Sequence, residues 1–221
     1  MDCQWIHGGG GSIVQALNTN VYGNGTQTLV LAHGYGSDQT NLIPILACYF
    51  KVVVFDLVFS PNLHPKLYDS KRYSSNFNAY AEDLLCLLDA LNVKKTIYIR
   101  VIPCLPCWIP NFAPLAIAAN STTAIEEFEG SFRRMKPQIA LSAAETVFLS
   151  DLRRILPKVM VPTSIIQSTK DVVVPESVAF YMKSRLGAPA KVEILDTQGH
   201  FPQLTVYPLL LKVLRGVLHI K

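Results

Sequence analysis

Residues Thr28-Leu29-Val30-Leu31-Ala32-His33-Gly34-Tyr35-Gly36 decide the reading of this chain. Thr28–Ala32 is a short apolar run that stops at a His-Gly turn, which predicts a buried strand. Val52–Val58, rich in β-branched residues, predicts a second strand, and Thr96–Val101 a third. Tyr80–Leu91 carries Leu84, Leu85, Leu87, Leu88 and Leu91 in a helical stripe, with Glu82 and Asp83 near its start, where acids suit the helix dipole. Thr163–Gln167 and Val192–Leu195 read as two more strands. Between them, Pro175–Leu186 reads as a helix with proline near its first turn and Gly187 as its stop, and Leu204–His219 as a closing helix. Strands alternating with helices predict an α/β fold, a mostly parallel sheet flanked by helices.

Bulk properties bound what such a chain does. Its 221 residues are 50% hydrophobic and 16% charged, so it buries a core and makes one domain or at most two. The net charge is +4 and the basic residues are scattered, with short pairs at Lys94-Lys95, Arg133-Arg134 and Arg153-Arg154. This argues for a solvated surface and against a nucleic-acid partner. No apolar run reaches the length of a membrane span, and Met1–Ser12 lacks the basic start and apolar core of a secretory signal. Five cysteines are an odd number without framework spacing, which suits a reducing compartment. Cys104-Leu-Pro-Cys107 has no second pair, which argues against zinc, and no phosphate-cradling glycine loop is present.

The middle of the chain differs from the rest. Ile102–Pro157 holds no convincing strand, while Thr122–Met135 and Ile139–Leu149 read as helices joined at Lys136-Pro137. Trp108, Phe112, Phe128, Phe132 and Phe148 cluster there. A helical insertion over the carboxyl end of a sheet builds a lid above a pocket; ordinary core packing is the alternative for each aromatic. The expected organisation is therefore a flexible N-terminus (1–12), an N-terminal part of the core (13–101), a helical lid (102–157) and a C-terminal part of the core (158–221).

Seven stretches in order carry a resemblance. The first three are Leu31-Ala32-His33-Gly34-Tyr35-Gly36-Ser37-Asp38-Gln39, Val54-Phe55-Asp56-Leu57-Val58 and Arg72-Tyr73. Asn111-Phe112-Ala113-Pro114-Leu115-Ala116 follows, then Thr146-Val147-Phe148 with Ser150-Asp151-Leu152-Arg153. Gln167-Ser168-Thr169-Lys170-Asp171 and Gly199-His200-Phe201-Pro202 close the series. Together they resemble the plant strigolactone and karrikin receptor family of α/β-hydrolases, close to its DWARF-like branch, and are similar to a bacterial stress-response regulatory hydrolase. The resemblance implies an α/β-hydrolase fold with a helical lid. It implies that His200 is the general base of a catalytic triad and that Asp171 holds its ring in one tautomer. Read alone, Asp171 is better explained as a helix N-terminal acid before Pro175, and His200 as a turn histidine after Gly199; their order and the resemblance favour the triad positions. The resemblance further implies that Tyr35 offers a backbone N–H to an oxyanion hole and, with Trp108, Phe112, Val147 and Phe148, lines a hydrophobic ligand pocket. Lid core remains the alternative for the last four. The implied ligand is small, hydrophobic and butenolide-like, the implied protein partners are an F-box protein and a repressor, and no cofactor is implied. The implied location is the cytoplasm and nucleus.

One part of the pattern is missing. The fold presents its nucleophilic serine on a Gly-x-Ser-x-Gly strand–turn–helix elbow, and no such motif occurs in the chain. After Thr96–Ile99 the sequence runs into Arg100-Val101-Ile102-Pro103-Cys104, with Ile102 near the place of the serine. An alkyl side chain does not attack a carbonyl. Cys104 offers a thiol, but Pro103 and Pro106 oppose the elbow and its helix. The loss exceeds one residue, because a βαβ unit takes about 30 residues and Ile102–Cys107 cannot replace one. The strand so lost belongs inside the sheet, between those at Thr96 and Thr163, and its removal leaves backbone groups without planned partners. Near Gln39–Pro44 the chain also falls a few residues short of the family pattern. Val101–Cys107 reads as a junction, as a skipped exon would leave. The expectation is an internally truncated α/β-hydrolase that binds a ligand, with hydrolysis absent or severely reduced. The alternative is that active serine ester hydrolysis belongs to a longer isoform, of which this chain is a truncated or misjoined product.

Overall fold

A computed structural model describes residues 12–34, 42–74, 77–100, 116–117 and 122–220, the side chains of 131 and 132 excepted. They form two compact units, the first containing residues up to 103 and Gly130–Ser150, the second the remainder.

The first unit is built on a four-stranded sheet in the order β1 (Asn20–Tyr22), β3 (Lys51–Phe55), β2 (Thr28–Ala32), β4 (Thr96–Arg100). β2 runs parallel to both neighbours, pairing Leu29 with Val52 on one side and Ile97 on the other. Leu29, Val30, Leu31 and Ala32 are all fully buried, which is why this strand reads as an unbroken apolar run and not as an alternation. β3 stops at Phe55, short of the expected Val58, because the next backbone groups turn away. The Asp56 N–H donates to the Leu17 carbonyl at 2.8 Å and the Leu57 N–H to His33 Nε2 at 2.9 Å. β1 pairs antiparallel with β3 and was not expected, since its three residues are all exposed.

The helix Asn78–Ala90 buries Ala79, Asp83 and Leu87. Asp83 is a charge inside the unit, paired with Arg72 at 2.7 Å and accepting from the Tyr73 hydroxyl at 2.8 Å. Burial, followed by the Asp83 charge and this hydrogen bond, pushes the Tyr73 phenol well above its ordinary range. The helix Pro137–Leu149 packs Ala140, Ala143 and Ala144 against Phe59 and Met135. Thr146 fastens it by donating to the Tyr73 carbonyl at 2.8 Å, and the Tyr68 hydroxyl donates to Ser142 Oγ at 2.9 Å.

The second unit holds a two-stranded parallel sheet of β5 (Thr163–Lys170) and β6 (Ala190–Gln198), joined by the helix Glu176–Arg185. Both strands outrun their expected ends, since the polar stretches Ser168–Lys170 and Asp196–Gln198 continue the ladder as far as Lys170 opposite Gln198. The expected single helix Leu204–His219 is in fact two, Pro202–Thr205 and Tyr207–Leu218, broken at Val206. Pro208 explains the break: it lacks the N–H a continuous helix would need, so it stands in the first turn of a new one. Among the described residues no strand pairs with the outer edge of β4 or β5. Cys86 is disulfide-bonded, in contrast to the reduced thiols expected from the cysteine spacing, and Cys48 is free and exposed.

Candidate active site

Asp171 and His200 lie just beyond the carboxyl ends of β5 and β6. The strand register puts Lys170 opposite Gln198, and the Gly199 N–H donates to the Lys170 carbonyl at 3.0 Å, so the residues that follow leave the sheet side by side. That is where parallel α/β sheets gather their sites. His200 Nδ1 stands 2.6 Å from Asp171 Oδ2, and the two side chains are 6% and 5% exposed.

The carboxylate is held on both oxygens. Oδ1 accepts the Val173 N–H at 2.8 Å and the Val174 N–H at 3.0 Å. The buried Gln167 amide donates to the Val174 carbonyl at 3.0 Å, to the Ser168 carbonyl at 3.1 Å and, more weakly, to Oδ2 at 3.4 Å. Burial pushes the Asp171 pKa up. The hydrogen bond with His200 and the Val174 N–H oppose it and prevail, so the carboxyl is held below its ordinary range. An ionised Asp171 calls for the proton on His200 Nδ1, which places the ring's lone pair on Nε2. Phe201 fixes the ring edge-on, with centroids 5.0 Å apart.

The backbone around His200 has little freedom. Gly199 adopts φ +86°, and a Cβ there would stand 2.3 Å from the Ile117 carbonyl oxygen. The His200 N–H donates to the Ala116 carbonyl at 2.7 Å. Gln167, Ala116 and Ile117 are thus part of the site, although none was read from the sequence as a site residue. Gln167 and Ala116 fall inside stretches that carry the resemblance. A glutamine in a strand leading to the acid is a detectable signal; a backbone carbonyl has no side-chain signature.

In the first unit, His33 accepts from the Leu57 N–H at Nε2 and meets the Gly34 carbonyl at Nδ1, both at 2.9 Å. These partners select the tautomer protonated on Nδ1, and they tie the end of β2 to the end of β3. Phe148 packs partly buried against the Phe59 cluster, and Val147 beside it is half-buried. Tyr35, Trp108 and Phe112 lie outside the described residues, as do Ile102 and the Cys104–Cys107 pair. Among the described residues no group of three or more His, Cys, Asp or Glu side chains is placed to hold a metal ion, and no helix is long and apolar enough to cross a membrane.

The arrangement is an oriented acid–base pair, an imidazole able to take a proton at Nε2 and return it, with a carboxylate behind it to stabilise the imidazolium.

Comparison with known proteins gives the arrangement its relatives. No family model matches the chain. It is 33% identical over 262 residues to a strigolactone esterase of Arabidopsis thaliana, covering 94% of this chain and 98% of the relative. It is also 33% identical over 265 residues to a karrikin insensitive 2 receptor of Petunia hybrida, covering 95% and 98%. Both alignments are longer than this chain's 221 residues, so these relatives carry segments for which it has no counterpart. Among solved structures, a hydrolase from Oleispira antarctica superposes with a TM-score of 0.83 at 27% identity, covering 95% of this chain and 97% of that one. An enol-lactonase from Burkholderia xenovorans shares the fold at 15% identity with a TM-score of 0.73.

Proposed function

Because the chain belongs to the α/β-hydrolase family of strigolactone esterases and karrikin receptors, we propose that it binds a small, hydrophobic, butenolide-like ligand and hydrolyses it slowly or not at all. One observation carries the reading: the Asp171–His200 pair is assembled at 2.6 Å in a chain whose sequence has no Gly-x-Ser-x-Gly. The pair supplies general-base chemistry without the hydroxyl that such a base activates. In serine hydrolases the serine and its base act as one unit, and losing the serine removes most of the rate. His200 retains the capacity to deprotonate a water at Nε2, which is a slower route because no covalent intermediate divides the barrier.

The test is calorimetric titration of the purified chain with a karrikin and with a synthetic strigolactone, alongside mass-spectrometric detection of product. Saturable binding with no product above the uncatalysed background is the expected result. Turnover at the rate of an intact esterase, or no heat of binding from a folded chain, sinks the reading. Coupling of the ligand to an F-box protein and a repressor is part of the same proposal, and pull-down of either with and without ligand tests it.

A second reading is favoured by the length of the alignments. The relatives carry tens of residues that this chain lacks, so ester hydrolysis belongs, on this reading, to a longer isoform bearing the elbow. Sequencing the transcript across the region encoding Tyr98–Asn111 separates the two. A dominant longer message supports the isoform reading, and a short message alone supports the non-hydrolytic one.

A further inference from the structure

The second unit presents a basic and apolar surface away from the Asp171–His200 pair. We propose that this surface, formed by the 3₁₀ turn Arg153–Lys158, the residues that lead from it into β5, and the helix Glu176–Arg185, docks an acidic amphipathic segment of another protein. The inference does not depend on the ligand reading above.

The surface is apolar where water meets it. Ile155 is 48% exposed, Met160 70% and Tyr181 40%. Burying a side chain of this size is worth about 1.5–3 kcal/mol relative to leaving it in water. The pieces form one surface. The Gly187 N–H donates to the Leu156 carbonyl at 3.3 Å and the Ala188 N–H to the Val159 carbonyl at 3.1 Å, which fastens the end of the helix to the turn. A Cβ on Gly187 would stand 2.7 Å from Met160 Sδ, so the methionine lies against the same junction. On the helix, the Arg185 guanidinium lies 5.6 Å from the Tyr181 ring centroid. Stacked arginine, tyrosine and methionine are the residue types enriched in protein interfaces.

Charge selects the occupant. Arg154 and Lys158 stand on the turn and Lys183 and Arg185 on the helix. Of the acids beside or on these elements, Asp151 is already committed to Arg153 through contacts of 2.6 to 3.1 Å, and Glu176 stands in the first turn of the helix, at the opposite end from Arg185, against the four bases just named. The face is therefore net positive, and two copies of this chain docked on it would bring like charges together. The first eleven residues of the chain carry one acid, Asp2, and are no better match. A lipid surface fits less well than a protein segment. Val178, Ala179, Phe180, Tyr181 and Met182 are consecutive and so point to every side of the helix, whereas a membrane-surface helix gathers its apolar residues on one side. An acidic segment with apolar residues matches both properties of the face.

The experiment uses the full chain and a fluorescein-labelled helical peptide with leucines on one face and glutamates on the other, read by fluorescence anisotropy at low and at physiological salt. Saturable binding is expected, weakened by about tenfold in the double variant Lys158→Glu, Arg185→Glu and by a similar factor in Met160→Ser. Replacing the peptide's glutamates by lysines is expected to abolish it. All three positions are exposed, so circular dichroism and the melting temperature should stay at the parent values. Absence of peptide binding, equal binding by the variants, or capture by phosphatidylserine-containing vesicles with no peptide binding overturns the proposal.

Discussion

The two sheets of this protein are built from parallel strands of different character. β2 is apolar along its length and fully buried from Leu29 to Ala32, held between two neighbours. Among the described residues β5 and β6 pair only with each other, and their carboxyl-terminal stretches, Ser-Thr-Lys and Asp-Thr-Gln, are polar. The first unit draws its order from burial, whereas the second fixes its important end with hydrogen bonds. Asp171 takes bonds from Val173, Val174 and Gln167, Gly199 bonds to Lys170, and His200 to Ala116. Most of these links span few residues or cross one strand pair. This explains how an acid–base pair keeps its geometry in a chain that lacks the serine elbow: the pair is assembled by β5, β6 and the loops after them, with the Ala116 carbonyl as a brace.

The contrast predicts different failures in the two units. The largest effect belongs to burial. Leu31→Ala in β2 removes a fully buried side chain and is expected to cost about 2–5 kcal/mol, measured by urea denaturation. A loss under 1 kcal/mol would show that β2 is not the centre of its unit. Next comes backbone strain at the site. Gly199→Ala adds a Cβ at positive φ, 2.3 Å from the Ile117 oxygen, and is expected to cost about 1–3 kcal/mol. It should also loosen the Asp171–His200 contact, seen as a loss of the downfield Nδ1 proton resonance in NMR. A retained resonance with parent stability would refute the brace assigned to Ala116 and Ile117.

The pH dependence separates the units further. Asp171 in the second unit has its pKa lowered from 3.8. Its contribution is therefore present above pH 3.8 and is lost as pH falls below that, through the folded value. Tyr73 and Tyr80 in the first unit have theirs raised from 10.0, each by burial first. Their contribution is present below pH 10.0 and is lost as pH rises above it. Hydrogen exchange resolved by segment should show β5 and β6 weakening on acidification in a manner that Asp171→Asn removes. β2 should weaken at high pH in a manner that Tyr73→Phe reduces. Identical pH profiles for parent and variant in either unit would break the assignment for that unit.

What the sequence disclosed follows the same division. β2 was legible to the residue, because a five-residue apolar run ending at His-Gly has no rival reading. β1 was not, since Asn20–Tyr22 is exposed and offers neither alternation nor an apolar run. The break at Val206 was written in Tyr207-Pro208, but the apolar spacing on both sides hid it. At the site, Asp171 and His200 became candidates through their order along the chain and their neighbours, each being ambiguous alone. The clamp that holds them was harder to see: Gln167 offers one signal, a glutamine in the strand leading to the acid, but the Ala116 carbonyl acts through backbone geometry that no residue type announces.

The smallest effect sharpens the comparison within the second unit itself. Gly216 lies in the helix Tyr207–Leu218, with nothing within 4 Å of where its Cβ would stand. Glycine in a helix interior gives up more backbone freedom on folding than alanine does, so Gly216→Ala is expected to stabilise by up to ~1 kcal/mol, largely through the unfolded chain. The same substitution at Gly199, in the same unit, carries the opposite sign. One glycine is needed for its conformation and for the close approach of a neighbouring carbonyl; the other satisfies no geometric requirement of the helix. Chemical denaturation of the two single variants and the double decides the point. Additive and opposite shifts support it, because the two sites share no contact partner. A destabilised Gly216→Ala would mean that something packs on that face of the helix, and the C-terminal helix would then have a covered surface where open space is described.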